Sequence, residues 1–70
     1  MDLGKRLKAL RAAKGYTVAD LSALTGVSKP YIWQIEDSRR RNPSGEKLVR
    51  LASALGTTVA DLMGAPAGIE

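Results

Sequence analysis

Thr17-Val18-Ala19-Asp20-Leu21-Ser22-Ala23-Leu24-Thr25-Gly26-Val27-Ser28-Lys29-Pro30-Tyr31-Ile32-Trp33-Gln34-Ile35-Glu36-Asp37 is the stretch that decides the fold. Thr17 stands three residues before Asp20, the spacing of a capping box, with aspartate in place of the longer, preferred glutamate. Leu21 and Leu24 then supply an apolar face and Gly26 ends the segment, which predicts a short helix. Ser28 follows almost at once and can cap a second helix, with Pro30 in the first turn, where a missing N–H costs little. Ile32 and Ile35 point one way at i, i+3, and this second helix is predicted over about residues 29–37. Gly26 permits a sharp turn between the two, since glycine takes a positive φ without steric cost, and Val27 is placed to plug the corner.

Working outward, Leu3, Leu7 and Leu10 recur at i, i+4, i+7 and predict a helix over residues 2–14, stopped by Gly15. On the other side, Ser38 to Pro43 reads as a basic loop. Ser44 then caps a helix carrying Leu48, Leu51, Ala52 and Leu55, which Gly56 stops. Thr58-Val59-Ala60-Asp61 repeats the capping-box spacing and opens a last short helix with Leu62 and Met63. Gly64-Ala65-Pro66-Ala67-Gly68 is rich in small residues. No strand alternation and no internal repeat is present. The expected fold is a compact, all-α, five-helix domain over residues 1–63, with 64–70 as a flexible tail or the start of an interdomain linker.

Composition narrows the function classes. Seventy residues make one domain at most, and so short a chain buries only about 60–65% of the surface its unfolded form exposes. The sequence has no cysteine and no histidine, which removes thiolate metal sites, the commonest metal ligand and the commonest general base. No metal-ligand cluster, phosphate-binding glycine loop or nucleophile–base pair is present, so neither an enzyme nor a bound cofactor or metal is expected. Eleven Lys+Arg against seven Asp+Glu give a formal charge of +4, which suits a polyanionic partner. No apolar run approaches the ~20 residues of a membrane span, and residues 1–6 lack the apolar stretch of a signal peptide. A soluble, cytoplasmic protein with no membrane partner is expected.

Two short helices joined through Gly26-Val27-Ser28 form a helix-turn-helix pattern, whose second helix lies in the major groove of double-stranded DNA. At ~100° per residue, with the inward direction midway between Ile32 and Ile35, Pro30 and Asp37 point nearly straight out. Trp33 and Gln34 lie on either side of that line, and Lys29 leans to the flank. Lys29, Pro30, Trp33 and Gln34 are therefore the candidate base readers. Gln34 can pair bidentately with adenine, Lys29 can donate to guanine, and Pro30 and Trp33 offer apolar contact or stacking. Each has a plainer role open to it: Lys29 as a solvated lysine, Trp33 as a cover for the core edge or a dimer surface. Thr17 and Ser28 start helices whose free N–H groups can bind phosphate, or they simply cap. Tyr31 can extend its hydroxyl to a phosphate or pack.

Leu7-Lys8-Ala9-Leu10-Arg11, Gly15-Tyr16-Thr17, Leu21, Gly26-Val27-Ser28, Tyr31-Ile32-Trp33-Gln34-Ile35-Glu36, Asn42-Pro43-Ser44, Leu48, Leu51-Ala52 and Ala54-Leu55-Gly56 stand in an order and spacing that resembles the Xre family, to which the lambdoid phage repressors and Cro belong. No single marker is specific; the set is. The resemblance runs from about Leu3 to Met63. It implies a lambda repressor-like five-helix fold that binds operator DNA, usually as a symmetric dimer. It implies that Gln34 reads a base, that Arg39, Arg40, Arg41 and Asn42 hold the DNA backbone, and that Arg11 and Glu36 form an ion pair between the first and third helices; the plainer readings are a solvated basic loop and two exposed charges. It also points to Leu62 and Met63 as dimer contacts, the plainer reading being that they close the bottom of a small core. The chain departs from the pattern in three places. Ser38 stands where relatives often have glycine, the loop before Asn42 carries an added arginine, and Val18 replaces a common glutamine.

The expected function is a sequence-specific transcriptional repressor, a homodimer at least on DNA, acting by occupying an operator that overlaps a promoter. Two alternatives share the fold. One is an antitoxin that binds a toxin protein and represses its own operon. The other is the DNA-binding front of a longer regulator with a C-terminal ligand-sensing domain.

Overall fold

The computed structural model describes residues 3–40 and 42–64. Among them run five helices and no strand: α1 (Leu3–Ala13), α2 (Val18–Thr25), α3 (Lys29–Glu36), α4 (Gly45–Ala54) and α5 (Val59–Leu62). None is long and apolar enough to cross a membrane. Arg41, and the predicted tail or linker beyond Gly64, lie outside the described residues.

Side-chain caps set where the helices start. Thr17, Ser28, Ser44 and Thr58 each take extended backbone angles and accept a hydrogen bond from the amide three residues on. Each cap contributes about 1 kcal/mol. At Thr17 the box closes despite the short aspartate: Asp20 N–H reaches Thr17 Oγ1 at 3.0 Å, and Thr17 N–H reaches Asp20 Oδ2 at 2.9 Å. The second predicted box is only half made, because the Asp61 carboxylate receives the Thr57 hydroxyl at 3.3 Å instead.

Helix ends are set differently. Gly15 and Gly26 stop α1 and α2 at φ +74 and +76. Helix α3 ends at Asp37 and turns through Ser38, a non-glycine residue at φ +62. An L-residue there is disfavoured by about 1–2 kcal/mol, yet Ser38 adopts the conformation that glycine would take without cost.

The core gathers one face of each helix: Leu7, Leu21, Val27, Ile32, Ile35, Leu51 and Leu62 are essentially inaccessible. Val27 plugs the corner between α2 and α3, as its position predicts. The corner has a second member, Thr25. Its buried hydroxyl donates to Leu21 O at 2.7 Å and accepts from Val27 N–H at 3.1 Å. Two expectations are corrected. Leu24, assigned to the apolar face of α2, is 59% exposed, because α2 turns Leu21 and Thr25 inward. Leu62, a dimer candidate with a core role open beside it, has no exposure at all, because α5 packs it against α1 and α4. Arg6 Nε ties α5 down by donating to Asp61 O at 2.7 Å.

Helix α1 packs on α3 through a close backbone approach. A Cβ on the buried Gly4 would collide with the carbonyl oxygen of Ile35 and stand 2.8 Å from that of Glu36. In an open helix, alanine in place of glycine gains roughly 1 kcal/mol. Here the sign reverses, and Gly4→Ala is expected to destabilise the fold by about 1–3 kcal/mol through overpacking. Thermal denaturation checks it: a lowered Tm is expected, and an unchanged or raised Tm contradicts the close approach.

Candidate nucleic-acid interface

Helix α3 is two turns long, and its two buried isoleucines turn the opposite face outward. Lys29, Pro30 and Trp33 are exposed, Trp33 by 51% despite its size. Asp37 is exposed at the far end and Gln34 is half-buried. Lys29, Pro30, Trp33 and Asp37 thus lie outward, as helical spacing predicts, with Gln34 partly covered beside them.

What holds that face in place is the pairing of α3 with α1. Arg11 Nε and Nη2 meet Glu36 Oε2 and Oε1 at 2.7 and 3.0 Å, a two-pronged ion pair. Arg11 Nη1 also donates to Tyr16 O at 2.8 Å, so one guanidinium joins α1, the loop after it and α3. The two side chains are only 14% and 7% exposed, so this is not a solvent-screened surface bridge. The hydrogen bond to Glu36 raises the Arg11 pKa above its ordinary value; burial opposes the rise, and the charge of Glu36 adds to it. A raised pKa stabilises the fold fully below the unfolded value and loses that effect only as pH climbs through the folded one. Arg11 therefore contributes no pH sensitivity in the working range.

The helix N-termini serve phosphate less evenly than sequence alone suggests. At α2 the capping box occupies the amides of Thr17 and Asp20, which leaves those of Val18 and Ala19. At α3 Ser28 Oγ takes the Tyr31 amide at 3.3 Å and Pro30 has no N–H, so Lys29 holds the first-turn amide that stays outside those bonds. Thr17 and Ser28 themselves are exposed.

Beyond α3 the chain doubles back. The amides of Arg39 and Arg40 both reach Gln34 O, at 2.8 and 3.1 Å. Arg40 then lies 4.3 Å from the centre of the Tyr31 ring, with Lys47 at 5.2 Å. The Tyr31 hydroxyl accepts from Ser44 N–H at 2.9 Å, and that bond leaves its own hydrogen unused. Arg39 is exposed, 3.9 Å from Asp37, and Asn42 is exposed. Arg40, Lys47 and Tyr31 are therefore neighbours, and Arg39 and Asn42 lie in the adjoining loop. Lys47 is a cation that sequence reasoning passed over. The signal for it was Ser44, whose cap on the Lys47 amide fixes where that residue projects.

Among the described residues no cluster of His, Cys, Asp and Glu could hold a metal. An open cleft involving Tyr16, Leu24, Val49 and Ala54 lies on the α2–α4 side and is lined by none of the candidate base readers. Met63 is exposed by 46%.

A family model described as a helix-turn-helix domain matches residues 2–63. The chain belongs to that family. Its core motif is α2, the Gly26 turn and α3. The transcriptional regulator SinR of Bacillus subtilis is 34% identical over 61 residues, covering 87% of this chain and 55% of SinR. The regulator DdrOP3 of Deinococcus deserti is 41% identical over 63 residues, covering 90% of this chain and 48% of DdrOP3. This chain thus spans about half the length of these curated relatives. Among solved structures, SinR in complex with DNA superposes with a TM-score of 0.83 at 35% identity, over 86% of this chain and 95% of that one. The P22 c2 repressor in complex with a synthetic operator gives 0.86 at 32% identity, over 94% and 98%. The lambda repressor-like five-helix fold of this helix-turn-helix domain is accordingly the one the sequence resemblance implies.

If the ion pair fixes α3, removing one partner hurts more than removing both. Glu36→Leu and Arg11→Met are each expected to cost about 3 kcal/mol, by stranding a poorly solvated charge. In urea denaturation the double variant should fall well short of the sum. Strict additivity contradicts the coupling.

Proposed function

We propose that residues 1–63 are the DNA-reading domain of a transcriptional repressor that lays α3 in the major groove of double-stranded DNA. The observation that carries this is the outward face of α3, with Lys29, Pro30, Trp33 and Gln34 on a helix locked to its scaffold by Arg11 and Glu36. Base edges are read by side chains on such a face. Arg39, Arg40, Arg41, Asn42 and the overlooked Lys47 supply the backbone contacts, with Thr17, Ser28 and Tyr31 as neutral donors. Two similar structures hold DNA, SinR and the P22 c2 repressor, the second on an operator.

The chain acts in the cytoplasm as a binding protein rather than an enzyme, and represses by occupying an operator. It works as a symmetric dimer on an inverted repeat with half-sites about 34 Å apart. Met63 is the exposed apolar residue that remains for the dimer contact once Leu62 is assigned to the core.

Fluorescence anisotropy tests this with a duplex from upstream of the chain's own gene and a scrambled duplex, between about 50 and 200 mM salt. The upstream duplex is expected to bind at least about a thousandfold more tightly. Arg39→Ala is expected to lower the salt slope by about 0.9 for both duplexes. Equal affinity for the two, or no binding at about 100 μM, the weak limit of non-specific association, overturns the proposal.

A further inference from the structure

Gln34 is not a free reader. Its Oε1 accepts two hydrogen bonds from one guanidinium, from Arg40 Nε at 3.1 Å and Nη2 at 2.9 Å. A guanidinium has five donors and no acceptor. The amide oxygen therefore faces Arg40, and the amide nitrogen faces the other way. The arginine is held as well. Its guanidinium lies over the Tyr31 ring, whose hydroxyl is anchored by Ser44 N–H. Its backbone amide reaches Gln34 O. The left-handed turn at Ser38 sends the chain back to make these contacts.

We propose that Arg40 determines which base Gln34 reads, by turning its amide into a donor-only group that selects guanine over adenine. This rests on α3 being the DNA-reading helix. A glutamine that pairs bidentately with adenine donates to N7 and accepts from the N6 amino group. The second bond needs a free lone pair on Oε1. A carbonyl oxygen has two lone pairs, and Arg40 approaches with two N–H groups. What remains to Gln34 is its amino group, with two hydrogens to give. Guanine presents two acceptors in the major groove, N7 and O6, whereas thymine presents one, O4. The donor-only amide thus finds two partners on guanine and one on adenine or thymine. Arg40 acts through Gln34 as a positioning residue, and its three other N–H groups remain for phosphate. This replaces the adenine pairing that an unconstrained glutamine implies.

The full chain is used to select sites from a randomised duplex library. Four duplexes differing at one base pair are then titrated with the wild type, Gln34→Ala, Arg40→Met and Arg39→Met. Gln34→Ala identifies the pair, as the position where preference flattens. At that pair the wild type is expected to favour guanine about tenfold, the worth of one good base contact. Arg40→Met frees the oxygen and shifts the preference to adenine. Arg39→Met removes the same charge from the neighbouring residue and weakens all four duplexes alike, with the preference intact. A wild type that favours adenine, or an Arg40→Met protein that weakens all four duplexes without changing their order, overturns the proposal while leaving the DNA-reading role of α3 standing. A wild type that enriches no sequence overturns that role, and this proposal with it.

Discussion

The ion pair of Arg11 with Glu36 is the interaction on which the arrangement depends. Helix α3 has eight residues, too few for a helix to be stable alone in water. Its orientation must come from outside. Ile32 and Ile35 decide which face of α3 turns inward, but apolar contacts are non-directional and leave its tilt and its position along the core loosely set. A two-pronged guanidinium–carboxylate pair is directional. Because Arg11 also holds Tyr16 O, α3 is referenced to α1 and to the approach to α2 at once. Gly4 supplies the complementary condition, since α1 can come this near to the end of α3 only without a side chain there.

The same tension between scaffold and ligand runs through the charged groups. Capping and phosphate binding draw on the same few amides at a helix start. At α2 the Thr17–Asp20 box favours the scaffold, placing a carboxylate at the end where an anion would dock. At α3 a serine cap and a proline leave little of the N-terminus for a phosphate. Attraction to a polyanion therefore falls to side chains: Lys29, Arg39, Arg40 and Lys47 among the described residues. Two of these, Arg40 and Lys47, each lie against the Tyr31 ring, and cation–ring attraction favours holding them there.

The helices were legible in the sequence because their starts and stops are local events. Thr17, Ser28, Ser44 and Thr58 cap within three residues, and Gly15, Gly26 and Gly56 sit where the chain turns left-handed. The outward face of α3 followed from Ile32 and Ile35 alone. What failed depended on tertiary packing. Leu24 and Thr25 are adjacent, and nothing local says that the threonine faces in, because its hydroxyl is satisfied only by the corner it helps to make. Leu62 is buried by helices from distant parts of the chain. Gly4 carried a readable signal, a glycine kept inside a helix against its propensity, whose reason lies in α3. The link from Arg40 to Gln34 was out of reach, because it requires Ser38 at a positive φ, which serine rarely adopts.

Amide chemical-shift mapping by NMR, with the selected duplex added to the labelled chain, tests most directly that this one face meets DNA. The largest shifts are predicted in three groups: Thr17 to Ala19, Ser28 to Gln34, and Arg39 with Arg40. Lys47 should respond, while Leu24, Val49 and the buried core residues outside α3 stay still. Shifts gathered around Leu24 and Val49, with α3 unmoved, would contradict the account.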